Sequence, residues 1–145
     1  MSTEESKFVN LCPVFVSPDI RRTVQFYVEK LGFQPARHFD KIENFAALYR
    51  DEIEFIIVQA QQGKVQSNLR RNGAGYDAYI DPATLKGIDL IYEEYRDQGV
   101  KIVSEPHQTP YGSYEFVFED IDGRQIGVGR ITDRSTFFTD SEIAP

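Results

Sequence analysis

The chain has 145 residues, of which 41% are hydrophobic and 13% aromatic, which is enough for one domain with a buried core. Its formal net charge is -7, so nucleic acids and anionic membranes, which an acidic surface repels, are not expected as partners. The single cysteine, Cys12, excludes an internal disulfide and a zinc site of the CxxC type.

The N-terminal sequence MSTEESK contains no apolar core of the kind that a secretory signal has. Apolar runs elsewhere also fall short of the roughly 20 residues that a membrane-spanning helix needs. We therefore expect a cytoplasmic protein without a membrane partner.

Residues 8–33 predict a strand followed by an amphipathic helix. The segment 8–16 is apolar and rich in β-forming residues, and Ser17-Pro18 suits the cap and first turn of a helix. Apolar side chains then recur on one helical face until Gly32, which is expected to end the helix in a left-handed conformation.

Residues 75–100 repeat this plan once, with Asp81-Pro82 at the predicted start of a helix and Gly99 at its end. Alternating segments predict further strands over 36–40, 45–50 and 53–59 after the first helix, and over 101–104, 113–119 and 125–131 after the second. The sequence Asp-Ile-Asp-Gly at 120–123 predicts the turn of a hairpin.

This order predicts an α+β fold of two βαβββ modules whose curled mixed sheets enclose a cleft. The modules are expected at residues 1–60 and 76–131. The connection 61–75 is polar and rich in glycine, which indicates an exposed loop or a lid over a ligand site. The tail, 132–145, carries Phe137 and Phe138, which we expect to dock over the cleft or onto a partner subunit.

Several motifs occur together in an order and at separations that resemble the vicinal oxygen chelate superfamily. They are Phe26-Tyr27, Leu31-Gly32-Phe33, Tyr111-Gly112 and the sequence DIDGR at 120–124. The superfamily includes glyoxalase I, extradiol dioxygenases, fosfomycin-resistance enzymes and bleomycin-resistance proteins. The resemblance spans about residues 8–131 and implies paired βαβββ modules around a cleft, usually in a dimer.

The resemblance also implies where metal ligands would lie in members of the superfamily that use a metal. These positions fall at Cys12, near Ala78 and at Gly127, and Glu54 is a candidate for a further carboxylate ligand. A catalytic divalent ion normally needs three protein ligands, which alanine and glycine cannot supply. We therefore expect no metal and no cofactor.

The predicted ligand-binding cleft combines aromatic, polar and small residues on the strands. Its candidate residues are Cys12, Val14, Tyr49, Glu54, Tyr79, Tyr111, Phe116, Gln125 and Gly127. Glycines at 127 and 129 fit two alternatives: they leave room for a flat apolar or aromatic ligand, or they accommodate close packing or a bulge.

The chain is most similar to the metal-free bleomycin-resistance type. The resemblance implies a metal-independent protein that sequesters a hydrophobic or aromatic compound, which could also be cationic, and that forms a homodimer. No catalytic residue is assigned. The alternative is a metal-dependent lyase or dioxygenase of the same superfamily with unrecognised ligands, or a metal-independent isomerase. A further alternative is a subunit that uses its sheets only for assembly and binds no ligand.

Overall fold

The computed structural model describes residues 3–137, without the side chains of residues 136 and 137. The predicted docking of Phe137 and Phe138 therefore lies outside the described residues. The helices and strands are β1 (Val14–Ser17), α1 (Ile20–Glu29), β2 (Gln34–Pro35), β3 (Phe45–Arg50), β4 (Ile53–Gln59), α2 (Asn68–Asn72), β5 (Ala78–Ile80), α3 (Leu85–Asp97), β6 (Lys101–Gln108), β7 (Ser113–Glu119), β8 (Gln125–Ile131) and α4 (Arg134–Phe137).

Within residues 3–137 the strands form two four-stranded sheets of the same topology, ordered β1-β4-β3-β2 and β5-β8-β7-β6. Strand β1 runs parallel to β4, and β5 runs parallel to β8, while the other neighbouring pairs are antiparallel. One long helix, α1 or α3, follows the first strand of each sheet. The predicted α+β fold of two βαβββ modules is confirmed, although the two sheets stay separate and do not close into a barrel.

One hydrophobic core joins the two modules. Helix α1 buries Ile20, Val24 and Tyr27, and α3 buries Ile88 and Tyr95. Alternate strand residues face these helices, and they are Phe15, Ala46, Leu48, Phe55, Ile57, Phe116, Phe118, Ile126 and Val128. We call the sheet faces turned away from α1 and α3 the open faces.

Each module places a helical tyrosine on the other module. The Tyr27 hydroxyl of α1 donates to Asp120 Oδ2 at 2.7 Å, in the β7–β8 turn. The Tyr95 hydroxyl of α3 donates to the Leu31 carbonyl at 3.0 Å, just beyond α1. The buried Asp120 also accepts from Arg124 at 2.9 Å. The two halves are therefore tied by reciprocal buried hydrogen bonds as well as by apolar contacts.

The first predicted strand is wrong in length, because β1 covers Val14–Ser17 and only residues 14–16 of the predicted 8–16 pair with a neighbour. The ladder to β4 begins at Val14 opposite Ile56, and the preceding Pro13 has no N–H to extend it. The predicted cap of α1 is also wrong. Asp19 accepts from the backbone of Arg22, whereas the Ser17 hydroxyl bonds to Thr23.

Other boundaries differ from the predictions in similar ways. The predicted strand at 36–40 is replaced by the two-residue β2 and a 3-10 turn at Phe39–Lys41. Helix α3 is capped by Thr84 rather than by Asp81. Strand β6 runs to Gln108 through Pro106, which an edge strand tolerates because one side needs no N–H donor. The connection 61–75 contains the short helix α2, capped by Ser67.

Among residues 3–137, no helix combines the length and the apolar character that crossing a membrane requires.

Candidate functional site

The open face of the first sheet and the segment just before β1 bring together Cys12, Tyr49 and Glu54, three of the predicted cleft residues. Tyr49 and Glu54 are opposite each other on β3 and β4, and the Tyr49 hydroxyl donates to Glu54 Oε2 at 2.6 Å. Burial and the neighbouring Glu54 carboxylate raise the pKa of the Cys12 thiol. The thiolate is therefore disfavoured, which argues against a nucleophilic role for Cys12. Val14 is exposed nearby at the edge of the same sheet.

The open face of the second sheet carries a buried carboxylate surrounded by hydroxyl groups. The tyrosine–glutamate cluster, as we call it, consists of Tyr76, Tyr79, Tyr111, Ser113 and Glu115. The two oxygens of Glu115 accept from Tyr76 at 2.5 Å, Tyr79 at 3.1 Å, Tyr111 at 2.8 Å and Ser113 at 2.6 Å. Glu115 is fully buried, whereas the tyrosines are 37%, 42% and 46% exposed in chain order. The rings thus cover the carboxylate and face outwards.

Two glycines of β8 make room for the tyrosine rings. A Cβ at Gly127 would lie 2.7 Å from Cδ1 of Tyr79 and 3.1 Å from Cδ2 of Tyr76, and a Cβ at Gly129 would overlap the Tyr79 hydroxyl. The rings of Tyr76 and Tyr79 stack with centroids 6.0 Å apart. Of the two alternatives for these glycines, the structure favours close packing, because rings of the same chain fill the space.

The cluster holds Glu115 in its ionised form. Burial alone would raise the pKa of this carboxyl, but the hydroxyl donors outweigh burial and bring the pKa below its ordinary value. Burial and the same carboxylate raise the pKa values of Tyr76 and Tyr79, so both phenols keep their protons. Within residues 3–137, Glu115 forms no ion pair with a lysine, arginine or histidine. Its negative charge is stabilised by dipoles and is not neutralised.

The structure places two other predicted cleft residues differently. Phe116 is fully buried on the helix-facing side, where its ring packs edge-on against Tyr92 at 5.5 Å, so its predicted place in the cleft is wrong. Gln125 is almost buried, and its side chain donates to Glu119 Oε1 at 2.8 Å. Side chains alternate along β7, so residues 113, 115 and 117 share the open face and residue 116 does not.

Sequence reasoning missed Glu115, Ser113 and Tyr76. The available signal was the alternation in Ser-Tyr-Glu-Phe-Val-Phe-Glu at 113–119, which puts serine and both glutamates on one face and the aromatic residues on the other. That register identifies Glu115 as an open-face acid. Its link to Tyr76 spans 39 residues and has no local signature.

A pocket of about 510 Å³ connects the two modules on the side of the predicted residues. Glu54 of the first sheet and Tyr79 of the second both line it, together with Leu11 and Pro13. A second pocket, of about 610 Å³, lies between the β3–β4 turn and α3 and includes the otherwise buried Tyr95. Both volumes fall in the range of small-molecule sites.

The residues present do not fit the metal site that the fold family implies. Gly127 offers no side chain, and Ala78 packs against the core. The acceptor positions of Glu115 are already taken by its hydroxyl donors. In the described part of the chain, no group of three histidine, cysteine or acidic residues has a geometry that could hold a metal ion. We therefore derive no metal-assisted step for this protein.

Comparison with solved structures supports the same fold. A glyoxalase/bleomycin resistance protein/dioxygenase from Alicyclobacillus acidocaldarius is 15% identical, with 87% of this chain and 93% of that chain covered and a TM-score of 0.69. One from Nocardioides is 18% identical, with coverages of 88% and 86% and a TM-score of 0.64.

A third similar structure is a complex with a ligand. It is the bleomycin-binding protein from bleomycin-producing Streptomyces verticillus complexed with copper(II)-bleomycin. It is 22% identical, with 84% of this chain and 95% of that chain covered and a TM-score of 0.63. At such identities the likeness concerns the fold alone.

No curated protein sequence matches the chain. A family model, however, matches residues 11–128, which include both βαβββ modules except the last three residues of β8. The match therefore contains all five residues of the tyrosine–glutamate cluster. The chain belongs to the Glyoxalase/Bleomycin resistance protein/Dioxygenase superfamily.

Proposed function

We propose that this protein binds a small hydrophobic or aromatic compound on its open faces, without a metal, and that it sequesters this compound in the cytoplasm. Such a role matches the bleomycin-resistance branch of the superfamily. The observation that carries the proposal is the open face of the second sheet, where three half-exposed tyrosine rings cover a carboxylate whose acceptor positions are filled.

Exposed aromatic rings suit this role because each offers a large, rigid contact area at a small cost in side-chain entropy. The pocket of about 510 Å³ that Glu54 and Tyr79 line is large enough for a ligand with several rings. The filled acceptor positions of Glu115 argue against the alternative of a metal-dependent lyase or dioxygenase, because no free carboxylate remains at this point of the sheet.

A ligand panel tests this proposal together with its metal alternative. Planar aromatic compounds, neutral and cationic, are titrated against the protein while the melting temperature and two-dimensional NMR spectra are recorded. We expect saturable shifts centred on the tyrosine rings, and a melting temperature that rises with ligand concentration. Chelation followed by Zn²⁺, Ni²⁺, Fe²⁺ or Mn²⁺ should leave the melting temperature unchanged. A saturable rise with one of these ions would overturn the metal-independent function.

We also propose that the protein acts as a homodimer. The segment before β1 exposes three large apolar side chains almost completely: Phe8 at 95%, Val9 at 91% and Leu11 at 95%. The adjoining edge strand β1 exposes Val14 and Val16 as well. Several large exposed apolar side chains in one short segment are typical of an interface, and a second copy of the chain is the partner that the fold family favours.

Sedimentation equilibrium tests the dimer. Replacing both Phe8 and Leu11 by serine should shift the protein towards the monomer, because these side chains lose their apolar contact with the second copy. The matched control is Leu90→Ser, which removes an exposed apolar side chain from the outer surface of α3. A monomeric wild-type protein, or equal dissociation of both variants, would contradict the proposed interface.

A further inference from the structure

We propose that the tyrosine–glutamate cluster is a binding site for an organic cation, namely an alkylammonium group such as a quaternary ammonium. This inference rests on the proposed small-molecule function and specifies the chemical class of the ligand. It depends on how the five side chains divide their hydrogen-bond donors and acceptors, and on the charge that they enclose.

The hydroxyl groups of the cluster have no proton to offer to a ligand. Each phenol carries a single O–H, and those of Tyr76, Tyr79 and Tyr111 all point to Glu115. The Ser113 hydroxyl is used in the same way at 2.6 Å. What the cluster presents outwards is therefore oxygen lone pairs and the faces and edges of three rings. An anion, or any ligand group that must accept a hydrogen bond, has no partner in this cluster.

The charge under the rings has the sign that attracts a cation. Glu115 is ionised and fully buried, and no cationic side chain of residues 3–137 pairs with it. A buried charge that dipoles stabilise still produces a field outside, which is stronger where the tyrosine rings exclude water. An ammonium group above the rings gains both this attraction and cation–π contacts.

The three tyrosines converge on one carboxylate. The rings of Tyr76 and Tyr79 stack with centroids 6.0 Å apart, and the Tyr76 and Tyr111 hydroxyls lie 3.2 Å apart, so a cation above Glu115 would meet more than one ring. Gly127 and Gly129 leave no bulk beneath Tyr79. Glu115 keeps its four hydroxyl partners while the cation binds above, so the ligand need not break the network.

The cluster also has a purely structural interpretation, in which it only holds β5 and β7 together with the segments that precede these two strands. That interpretation predicts equal behaviour towards charged and uncharged probes. The two are therefore separated by a pair of molecules that have the same shape and differ in charge. Choline and 3,3-dimethylbutan-1-ol form such a pair, since a carbon atom replaces the quaternary nitrogen.

Both probes are titrated against the intact protein while the tyrosine ring resonances are followed by NMR. The chain has no tryptophan and only 8 tyrosines, so individual rings can be assigned. We expect choline to shift the rings of Tyr76, Tyr79 and Tyr111 and to bind about tenfold more tightly than the alcohol, in line with a partly desolvated cation–π contact. Its affinity should fall with added salt, because salt screens the attraction to Glu115.

Two variants locate the site. Glu115→Gln removes the charge with little change in size and should weaken choline binding about tenfold, while Tyr111→Leu removes one ring and should also weaken it. The control is Asp89→Asn on helix α3. Asp89 is another carboxylate that accepts a hydrogen bond from a tyrosine, in this case from the Tyr114 hydroxyl at 2.6 Å, and the substitution removes its charge. This variant should bind choline like the wild type.

The outcomes separate this inference from the proposed function. Equal affinity for choline and the alcohol, or choline binding unaffected by both Glu115→Gln and Tyr111→Leu, overturns the cation site. If neutral aromatic compounds still bind the open faces, the proposed function stands without it. If no small molecule binds, both fail. The comparison of the two probes uses the wild-type protein, so it decides the question even if a variant does not fold.

Discussion

The packing of Gly127 against Tyr79 can be tested by a double-mutant cycle. A Cβ added at Gly127 would lie 2.7 Å from Tyr79 Cδ1 and 3.0 Å from Cε1, both of them atoms of one ring, with Tyr76 next at 3.1 Å. Such overpacking costs about 1–3 kcal/mol of the free energy of unfolding. Gly127→Ala should therefore destabilise the wild-type protein by about this amount.

In a Tyr79→Ala background that ring is absent, and the remaining close contact is Tyr76 Cδ2 at 3.1 Å. Alanine is favoured over glycine within a strand by about 0.5–1 kcal/mol, which offsets this milder contact, so Gly127→Ala should then be close to neutral. The coupling between the two positions is thus about 1–3 kcal/mol. Urea unfolding of the four proteins, at one protein concentration because a dimer's stability depends on it, measures this coupling.

Gly129 provides the matched control. Its added Cβ would meet the Tyr114 backbone oxygen at 2.7 Å and the Glu115 side chain, and both remain when Tyr79 is removed. Gly129→Ala should therefore stay destabilising in the Tyr79→Ala background. If Gly127→Ala costs the same in both backgrounds, the Tyr79 ring does not lie on Gly127, and the argument for a cluster built on these glycines fails.

Three further predictions concern single groups. Tyr27→Phe removes a hydrogen bond to Asp120, which is ion-paired with Arg124, and should cost about 1.5 kcal/mol. This is the lower end for charged partners, because Arg124 still bonds the same oxygen, and an unchanged urea midpoint would contradict it. The folded state lowers the pKa of Glu115 below its ordinary value of 4.5. Ionised Glu115 therefore stabilises the fold at pH values above 4.5, and this stabilisation is lost as the pH falls towards the pKa of the folded state. In urea titrations at decreasing pH, the wild type should lose stability relative to Glu115→Gln. Glu54→Gln should lower the pKa of the Cys12 thiol and speed its modification by a disulfide reagent at neutral pH, and an unchanged rate would refute the contact.

The fold could be predicted wherever the sequence repeats a local pattern next to a clear turn. Strands 45–50, 53–59, 113–119 and 125–131 have the predicted bounds, because alternation and short polar turns fix both ends. The segment 8–16 has equally strand-like residues, but pairing requires a neighbouring strand, and β4 offers partners only from Val14 onwards. Local composition cannot reveal the lack of a partner.

The candidate site was predicted less completely, for a related reason. Tyr49 and Glu54 are both predicted as cleft residues, and they lie opposite each other because their strands form one hairpin. Glu115 could not be found in this way, since two of its three tyrosine donors, Tyr76 and Tyr79, lie 39 and 36 residues away in sequence. An isolated acid between aromatic residues also resembles a solvent-exposed position. Phe116 was misassigned by one residue of register, which is enough to move a side chain to the opposite face of a sheet.

The reciprocal tyrosine bonds between the modules affect how the polypeptide can be divided. Tyr27 of the first module donates to Asp120 of the second, and Tyr95 of the second module donates to the Leu31 carbonyl of the first. Each module alone would therefore have a tyrosine hydroxyl without its acceptor, or would expose the apolar side chains that the other module covers. The covalent link between the halves, by contrast, runs through the exposed connection that contains α2. A protein cut within that connection should therefore stay assembled, and two fragments produced separately should fold only when mixed. We therefore expect the two modules to unfold as one cooperative unit.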